Sequence, residues 1–168
     1  MESGLFASDS LVIKIVEDFL DNHEYEKHGV ILDGFPRDLK QAKALEQILE
    51  GRNFDLSIVV DIQIPQSVII KRIVGRYSCA NCEAVYNEKS KPTKVEGVCD
   101  HCGATELYKR KEDDPKVLDE RMNQYFKRTE PIIDFYKEKG LLIRVDGDCD
   151  IKTIEKRIKK ILKSKEIV

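Results

Sequence analysis

Residues 30–37 read Val-Ile-Leu-Asp-Gly-Phe-Pro-Arg, and this stretch indicates the fold more strongly than any other. Its first three residues form an unbroken apolar run, as expected for a strand that is buried on both faces. The turn-forming residues that follow end the run abruptly. Open α/β sheets bind their ligands at the carboxyl ends of strands, so Asp33 and Arg37 are predicted to lie at a binding site. For this segment alone, a proline turn beside a solvated arginine is an equal alternative.

The segments on either side alternate between helical and strand patterns. Apolar residues recur at helical spacing after Ser8 and Asp9, and again between Leu39 and Gly51. Further strands are predicted at 58–64 and 141–145, and further helices at 68–73, from 115 to 140 with a division at Pro131, and at 151–162. This alternation predicts an α/β fold built on a parallel sheet.

The composition is that of a globular protein. Hydrophobic residues make up 41% of the 168 residues and charged residues 36%, and the formal net charge is -2. This balance argues against disorder, and the lack of a basic run argues against nucleic-acid binding. No window approaches the roughly 18 consecutive apolar residues of a membrane helix, and residues 1–10 lack a leader pattern. A cytoplasmic protein without a membrane partner is therefore expected.

Four of the five cysteines form two Cys-x-x-Cys pairs, which are typical of a metal site in a chain without a leader. Sixteen residues separate the pair Cys79 and Cys82 from the pair Cys99 and Cys102, a spacing that suits four thiolates around one structural zinc ion. Two disulfides or four free thiols are the alternatives, and a reducing cytoplasm disfavours both. His101 is a weaker candidate ligand because four thiolates already complete a tetrahedral site.

Arginines flank the segment that carries the cysteines. Arg72 and Arg76 precede it, and Arg110 and Arg121 follow it. If the segment folds as a small module over the sheet, the four guanidinium groups gather above one pocket. Arginine suits a phosphate ligand because its planar donors match the phosphate oxygens and its charge is permanent. Taken singly, each of these arginines is more often a solvated surface charge.

Several motifs in this chain match one known family. They are Asp-Gly-Phe-Pro-Arg at 33–37 with Gln41 after it, Arg-x-x-Gly-Arg at 72–76, Arg-x-Glu-Asp at 110–113, Val-Asp-Gly-Asp at 145–148 and Gly-Leu-Phe-Ala at 4–7. Through these motifs nearly the whole chain resembles the adenylate kinase family. It is most similar to the members whose long lid holds a four-cysteine zinc ribbon.

The resemblance implies a parallel-sheet core of the P-loop kinase type, formed by residues 1–76 and 113–168, and a small zinc-binding lid at 77–112. It implies reversible transfer of a phosphoryl group from Mg-ATP to AMP, which yields two ADP. The implied cofactors are a structural zinc ion in the lid and magnesium bound with ATP. The implied partners are the nucleotides ATP, AMP and ADP, and a monomer is expected.

The resemblance also implies roles for individual residues. The catalytic arginines are Arg37, Arg76, Arg110 and Arg121. The AMP-binding residues are Leu5, Phe6, Ala7, Gly34, Phe35, Pro36, Arg37, Gln41, Arg110 and Arg121. The ATP-binding residues are Arg72, Arg76, Val85, Tyr86 and Asp148. Asp33 is implied to hold magnesium through water, and the zinc ligands are Cys79, Cys82, Cys99 and Cys102.

The 168 residues depart from the family in one respect. They contain no Gly-x-x-x-x-Gly-Lys sequence, the loop that holds the ATP phosphates, and no strand before it. In the family that strand lies between those predicted at 30–32 and 58–64, so an apolar gap is expected in the sheet. These residues alone are therefore expected to have negligible transfer activity. The alternative function is a non-catalytic nucleotide-binding remnant or a zinc-ribbon interaction module.

Overall fold

The computed structural model describes residues 8–22 and 28–167, which fall into two compact units. The first unit runs to Gln63 and resumes at Met122, and the second is Ile64–Arg121. The described α-helices are α1 (Asp9–Asn22), α2 (Leu39–Glu50), α3 (Gln66–Val74), α4 (Pro115–Gln124), α5 (Glu130–Glu138) and α6 (Ile151–Ser164). The described strands are β1 (Val59–Gln63), β2 (Arg76–Cys79), β3 (Val85–Asn87), β4 (Leu107–Tyr108) and β5 (Leu142–Asp146).

Two of the predicted strands pair in the first unit. β1 and β5 are parallel, with Val59 opposite Leu142 and Gln63 opposite Asp146. This pairing confirms the parallel sheet. β1 is only half-buried, and Ile62 is 45% exposed.

The strand predicted at 30–32 is not formed. No described strand pairs with this segment, and Ile31 is 91% exposed. An apolar run becomes a strand only where a neighbouring strand accepts and donates its backbone hydrogen bonds. Leu32 still packs beside the buried cluster of the first unit, so the run contributes to the core at one position.

The core of the first unit lies around α2. The Asp38 side chain caps this helix by accepting a hydrogen bond from Gln41 N at 2.8 Å. Buried residues of α2 pack with residues of α1 and the loop before α2; this cluster comprises Leu20, Phe35, Leu45, Ile48 and Leu49. A second cluster joins α2 to α5 through Ala42, Ile132 and Tyr136. Burial of each large apolar side chain contributes about 1.5–3 kcal/mol.

The second unit contains a small antiparallel sheet in the order β3-β2-β4. Tyr77 of β2 lies opposite Tyr86 of β3, and Cys79 lies opposite Leu107 of β4. Because β2 is central, it fixes the position of Cys79 from both sides. In the described part of the chain, no helix has the length and apolar character needed to cross a bilayer.

The helical stretch that follows is interrupted close to Pro131, as predicted. Asp114 precedes α4 and its side chain accepts a hydrogen bond from Lys116 N at 2.8 Å. A π-helical turn, Tyr125–Thr129, separates α4 from α5, and Pro131 has no N–H to continue a regular helix there. In α6, Ile151 does not join the apolar face. It is 78% exposed because it is the first residue of the helix, beside the Asp150 cap.

Candidate functional site

The four predicted metal ligands lie together in the second unit. All four sulfur atoms lie within 4.8 Å of one another, and the Cys79–Cys102 and Cys82–Cys99 sulfurs are each 3.6 Å apart. A disulfide needs about 2.05 Å, so all four are free thiols here. Thiolates at about 2.3 Å from a tetrahedral zinc ion are about 3.8 Å apart, so the cluster fits zinc. The weaker candidate, His101, is not in this group of described residues.

Two equivalent turns hold the cysteines. In the second turn, Gly103 N donates to Cys99 O at 2.9 Å and Cys99 N donates to Ala104 O at 2.8 Å. In the first turn, Glu83 N donates to Cys79 O and Cys79 N donates to Ala84 O, both at 3.0 Å. Gly103 has a φ of 74°, and the equivalent residue Glu83 has a φ of 58°. The first turn therefore adopts the left-handed conformation without a glycine, at a cost of about 1–2 kcal/mol.

Hydrogen bonds lower the pKa of two of the thiols. The Tyr86 hydroxyl, 3.2 Å from the sulfur, is the largest cause that lowers the pKa of Cys99 to about 6. A hydrogen bond with Asn81 is the largest cause that lowers the pKa of Cys102. At Cys82 a backbone hydrogen bond lowers the pKa, but burial and the other thiols outweigh it and raise the pKa to about 12. A metal ion must displace the remaining protons, because cysteine binds metals as the thiolate.

A buried carboxylate orients two of the predicted phosphate-binding arginines. The side chain of Asp113 is 2% exposed. Arg76 Nε donates to its Oδ2 at 2.8 Å and Arg76 Nη2 donates to its Oδ1 at 2.5 Å, while Arg121 Nη1 donates to Oδ1 at 3.3 Å. Arg110 Nε donates to Ser78 Oγ at 3.3 Å in the same unit. Asp113 therefore holds the guanidinium groups of Arg76 and Arg121 close to one another.

Replacement of Arg76 by alanine is expected to lower the free energy of unfolding of the second unit by about 3 kcal/mol. The change removes both bonds from Arg76 and leaves a buried carboxylate with the single longer contact from Arg121. Denaturant titration measures the loss. Arg144→Ala is the control, since Arg144 is 54% exposed and its ion pair with Asp61 is 3.6 Å long. Equal midpoints for wild type and Arg76→Ala would contradict the structural role of this pair.

The Asp-Gly-Phe-Pro-Arg segment forms a tight loop in the first unit. Arg37 folds back so that its Nε donates to Gly34 O at 2.7 Å. Gly34 has a φ of 75°, which other residues adopt only with strain, and a Cβ at this position would lie 2.9 Å from Arg37 Nη2 and displace the end of that side chain. Phe35 is buried and the half-buried Pro36 follows a cis peptide bond. Asp33 and Arg37 are exposed, as ligand-binding residues require.

A hydrogen-bond network that the sequence did not predict surrounds Gln41. This residue is 2% exposed; its Oε1 accepts from Arg37 N at 2.8 Å and its Nε2 donates to Asp9 Oδ1 at 2.9 Å. Arg128 Nη2 donates to Asp9 Oδ1 at 2.7 Å and also to Asp38 Oδ2. The network fixes the two ends of the Gln41 amide. No local pattern could reveal it, because Asp9 and Arg128 are 119 residues apart in sequence.

Comparison with known proteins accounts for these motifs. A family model described as adenylate kinase matches residues 1–141. The chain belongs to the adenylate kinase family. It is 43% identical to the adenylate kinases of Rhizobium rhizogenes and Archaeoglobus fulgidus, in each case over 162 residues that cover 96% of this chain and 74% of the relative. The adenylate kinase of Caldanaerobacter subterraneus is 41% identical over 162 residues, with 72% of its length covered.

Membership of the adenylate kinase family confirms the resemblance and the α/β fold class. It favours a nucleoside monophosphate kinase, and none of the comparisons favours a zinc-ribbon interaction module. The four clustered cysteines agree with the long-lid type of adenylate kinase, in which the ribbon holds a metal ion. The predicted lid, 77–112, lies within the second unit.

The remaining predicted nucleotide contacts of this adenylate kinase family member have varied surroundings. Arg72 is half-buried in α3, and Val85 is 38% exposed on β3. Tyr86 is 3% exposed, so its ring is enclosed by protein. Asp148 is exposed and its N donates to Asp146 Oδ1 at 2.9 Å. Residues 5–7, predicted to bind AMP, lie outside the described residues, and all of these roles stay predictions.

Replacement of Asp9 by asparagine is expected to remove part of the pH dependence of stability. Burial acts to raise the pKa of Asp9, but the Gln41 hydrogen bond and the Arg128 charge lower it below the ordinary 3.8. A lowered pKa stabilises the fold above the unfolded pKa of about 3.9, and this contribution is lost as pH falls through the folded pKa. Asp9→Asn should therefore cost about 1 kcal/mol at pH 7, and this difference should shrink as the pH falls through the folded pKa of Asp9.

Denaturant midpoints between pH 2 and pH 7 measure this difference. Asp18→Asn is the matched control, because Asp18 is an exposed carboxylate on the same helix, α1. If the difference in denaturant midpoint between Asp9→Asn and wild type stays constant between pH 2 and pH 7, the ion pair between Asp9 and Arg128 does not make stability depend on pH.

Proposed function

We propose that this protein is an adenylate kinase that transfers the terminal phosphoryl group of Mg-ATP to AMP and releases two ADP. The observation that carries the proposal is the arginine cluster around Asp113. Arg76 and Arg121 converge on one buried carboxylate, so both side chains are oriented before a nucleotide binds. This arrangement, in a chain of the adenylate kinase family, suits phosphate rather than a metal or a partner protein.

Positioning and charge explain how these residues act. During transfer, negative charge is spread over the oxygens of the migrating phosphoryl group and the oxygen that bridges it to ADP. Arg76, Arg110 and Arg121 neutralise this charge, and their orientation by Asp113 and Ser78 reduces the reorganisation needed in the transition state. The acceptor is an oxygen of AMP phosphate, which is already ionised at neutral pH, so no general base is required.

We assign AMP to the loop of Gly34, Phe35, Pro36 and Arg37, together with Gln41, residues 5–7, Arg110 and Arg121. Support comes from the exposed Arg37 guanidinium, and the buried Gln41 holds this loop by accepting a hydrogen bond from Arg37 N. We assign ATP to Arg72, Arg76, Val85 and Asp148, but not to the Tyr86 ring, which is enclosed by protein. Asp33 is an exposed carboxylate at the start of the AMP loop and suits a hydrated magnesium ion, which prefers oxygen ligands.

The four cysteines are proposed to hold a structural zinc ion. Their sulfur separations fit a tetrahedral site, and four thiolates leave no open position for a substrate or a reactive water. The metal would stabilise the proposed lid, residues 77–112, which closes over ATP and excludes water as a competing acceptor. Reduced thiols at this site suit a cytoplasmic protein, and we propose that it acts as a monomer.

A coupled assay that follows ADP formation from ATP and AMP tests the proposed function. It is applied to the protein from the complete reading frame that contains these residues, and in parallel to the 168 residues alone. ADP formation that needs both nucleotides and Mg²⁺, and that Arg121→Ala abolishes, supports the proposal because a contaminating kinase would be unaffected. Absence of transfer by the complete protein, or transfer unchanged by Arg121→Ala, contradicts it.

A further inference from the structure

The environment of Tyr86 differs from that of a nucleotide-stacking residue. Its ring is 3% exposed and belongs to the buried cluster that includes Cys79 and Cys99. One face stacks on Tyr77, with ring centroids 5.6 Å apart and an interplanar angle of 20°. A ring enclosed in this way has no exposed face to offer to adenine. The ring of Tyr86 therefore does not stack on a nucleotide base.

The hydroxyl of Tyr86 is aimed at the metal-binding sulfurs. It lies 3.2 Å from Cys99 Sγ, and it accepts a hydrogen bond from Asp100 N at 2.8 Å. A backbone N–H can only donate, so the Asp100 bond uses a lone pair of the phenol oxygen and leaves its proton for the sulfur. A cysteine that binds a metal is a thiolate and can only accept. The direction of the bond in the metal-bound state is therefore O–H to sulfur.

We infer that Tyr86 is a positioning residue for the metal, which orients the Cys99 thiolate and stabilises its charge through the phenol O–H. This inference rests on the proposed metal site of the lid. Partners of this kind around metal ligands typically change metal affinity 10- to 100-fold when they are removed. Tyr86 also ties β3 to the second cysteine pair, since its hydroxyl contacts both Cys99 and the next residue, Asp100.

Tyr86→Phe is the test, because it removes the hydroxyl and keeps the ring that packs on Tyr77. Zn²⁺ affinity is measured by competition with a chelator, using the complete protein. We expect about 10- to 100-fold weaker binding than wild type. With Co²⁺ as the probe, the thiolate-to-metal charge-transfer band should move to longer wavelength, because a sulfur without the hydrogen bond gives up electron density more easily. Merely structural damage would not produce that shift in a folded, metal-loaded protein.

Tyr77→Phe is the matched control. It removes a hydroxyl from the stacked neighbour, which accepts a hydrogen bond from Thr93 N at 3.2 Å, and wild-type metal affinity is expected. Equal Zn²⁺ affinity in Tyr86→Phe and wild type overturns the inference, as does an equal loss in both variants. If Tyr86→Phe leaves Zn²⁺ affinity unchanged but weakens ATP binding, Tyr86 acts in nucleotide binding and the inference is overturned. A wild-type protein that binds neither Zn²⁺ nor Co²⁺ overturns the proposed metal site itself, and with it this inference.

Discussion

Replacement of Arg121 by alanine is expected to lower kcat for ADP formation about 10²- to 10³-fold. The expected loss corresponds to about 3–4 kcal/mol of transition-state stabilisation. Arg121 supplies a permanent positive charge close to Arg76, and the developing charge on the transferred group interacts with both. Because charge moves toward the bridging oxygen only in the transition state, where the oriented arginines interact with it most strongly, kcat should fall more than KM rises.

The fold should survive this substitution. Arg121 contacts Asp113 at 3.3 Å, whereas Arg76 contacts both carboxylate oxygens and continues to neutralise the buried charge. The side chain of Arg121 is also 35% exposed, so its ion pair contributes at most about 1 kcal/mol to stability. Steady-state kinetics and denaturant titration on the complete protein separate the two effects.

Two further variants separate the effect of the Arg121 charge from that of its planar donors and provide a control. Arg121→Lys keeps the charge but loses the planar donors, so only partial recovery of kcat is expected. Arg144→Ala removes an arginine whose side chain is 54% exposed in the first unit, and wild-type kinetics are expected. Near-normal kcat in Arg121→Ala would show that the arginines near Asp113 do not clamp the transferred group.

Loss of one metal ligand is expected to unfold much of the second unit and leave the first unit folded. The protein should contain about one zinc ion per chain. Structural zinc contributes about 10–16 kcal/mol of apparent binding free energy in small zinc modules. The buried hydrophobic cluster around β2 consists of Cys79, Tyr86 and Cys99, so two of its three members are themselves proposed metal ligands. With so little apolar surface independent of the site, the module has no other large source of stability.

Cys102→Ser is the most direct form of this experiment. Cys102 is exposed, so its replacement creates no cavity, whereas Cys79 and Cys99 are 0% and 2% exposed. Metal content is measured by elemental analysis, and amide hydrogen exchange reports each unit separately. Protection should fall in residues 76–108 and persist in α2 and α5. Chelation of wild-type protein should reproduce the pattern.

Cys149→Ser provides the matched control, because it replaces a half-buried cysteine outside the four-sulfur group of described residues. Full metal content and an unchanged exchange pattern are expected. If wild type contains no zinc and all four thiols titrate freely in the folded state, the cluster is not a metal site. If Cys102→Ser loses zinc but keeps protection in the second unit, the metal is not its main source of stability.

Several features followed from the sequence because they depend on neighbours within one or two turns. Helical periodicity located α1, α2 and α6, and the Cys-x-x-Cys spacing located two turns whose own backbone bonds present the sulfurs. The family motifs are also local stretches, so they could indicate an adenylate kinase before any contact between distant residues was known.

Tertiary structure decided the features in which distant residues meet. The apolar run at 30–32 has the composition of a strand but no described strand pairs with it, and pairing is a property of two segments. The partner of Asp113 is Arg76, 37 positions away, and that of Asp9 is Arg128, 119 positions away. Tyr86 matched a nucleotide position in sequence, yet folding buries its ring and directs its hydroxyl to Cys99. Sequence patterns specify which chemical groups are present, whereas burial and long-range contacts specify what each group can reach.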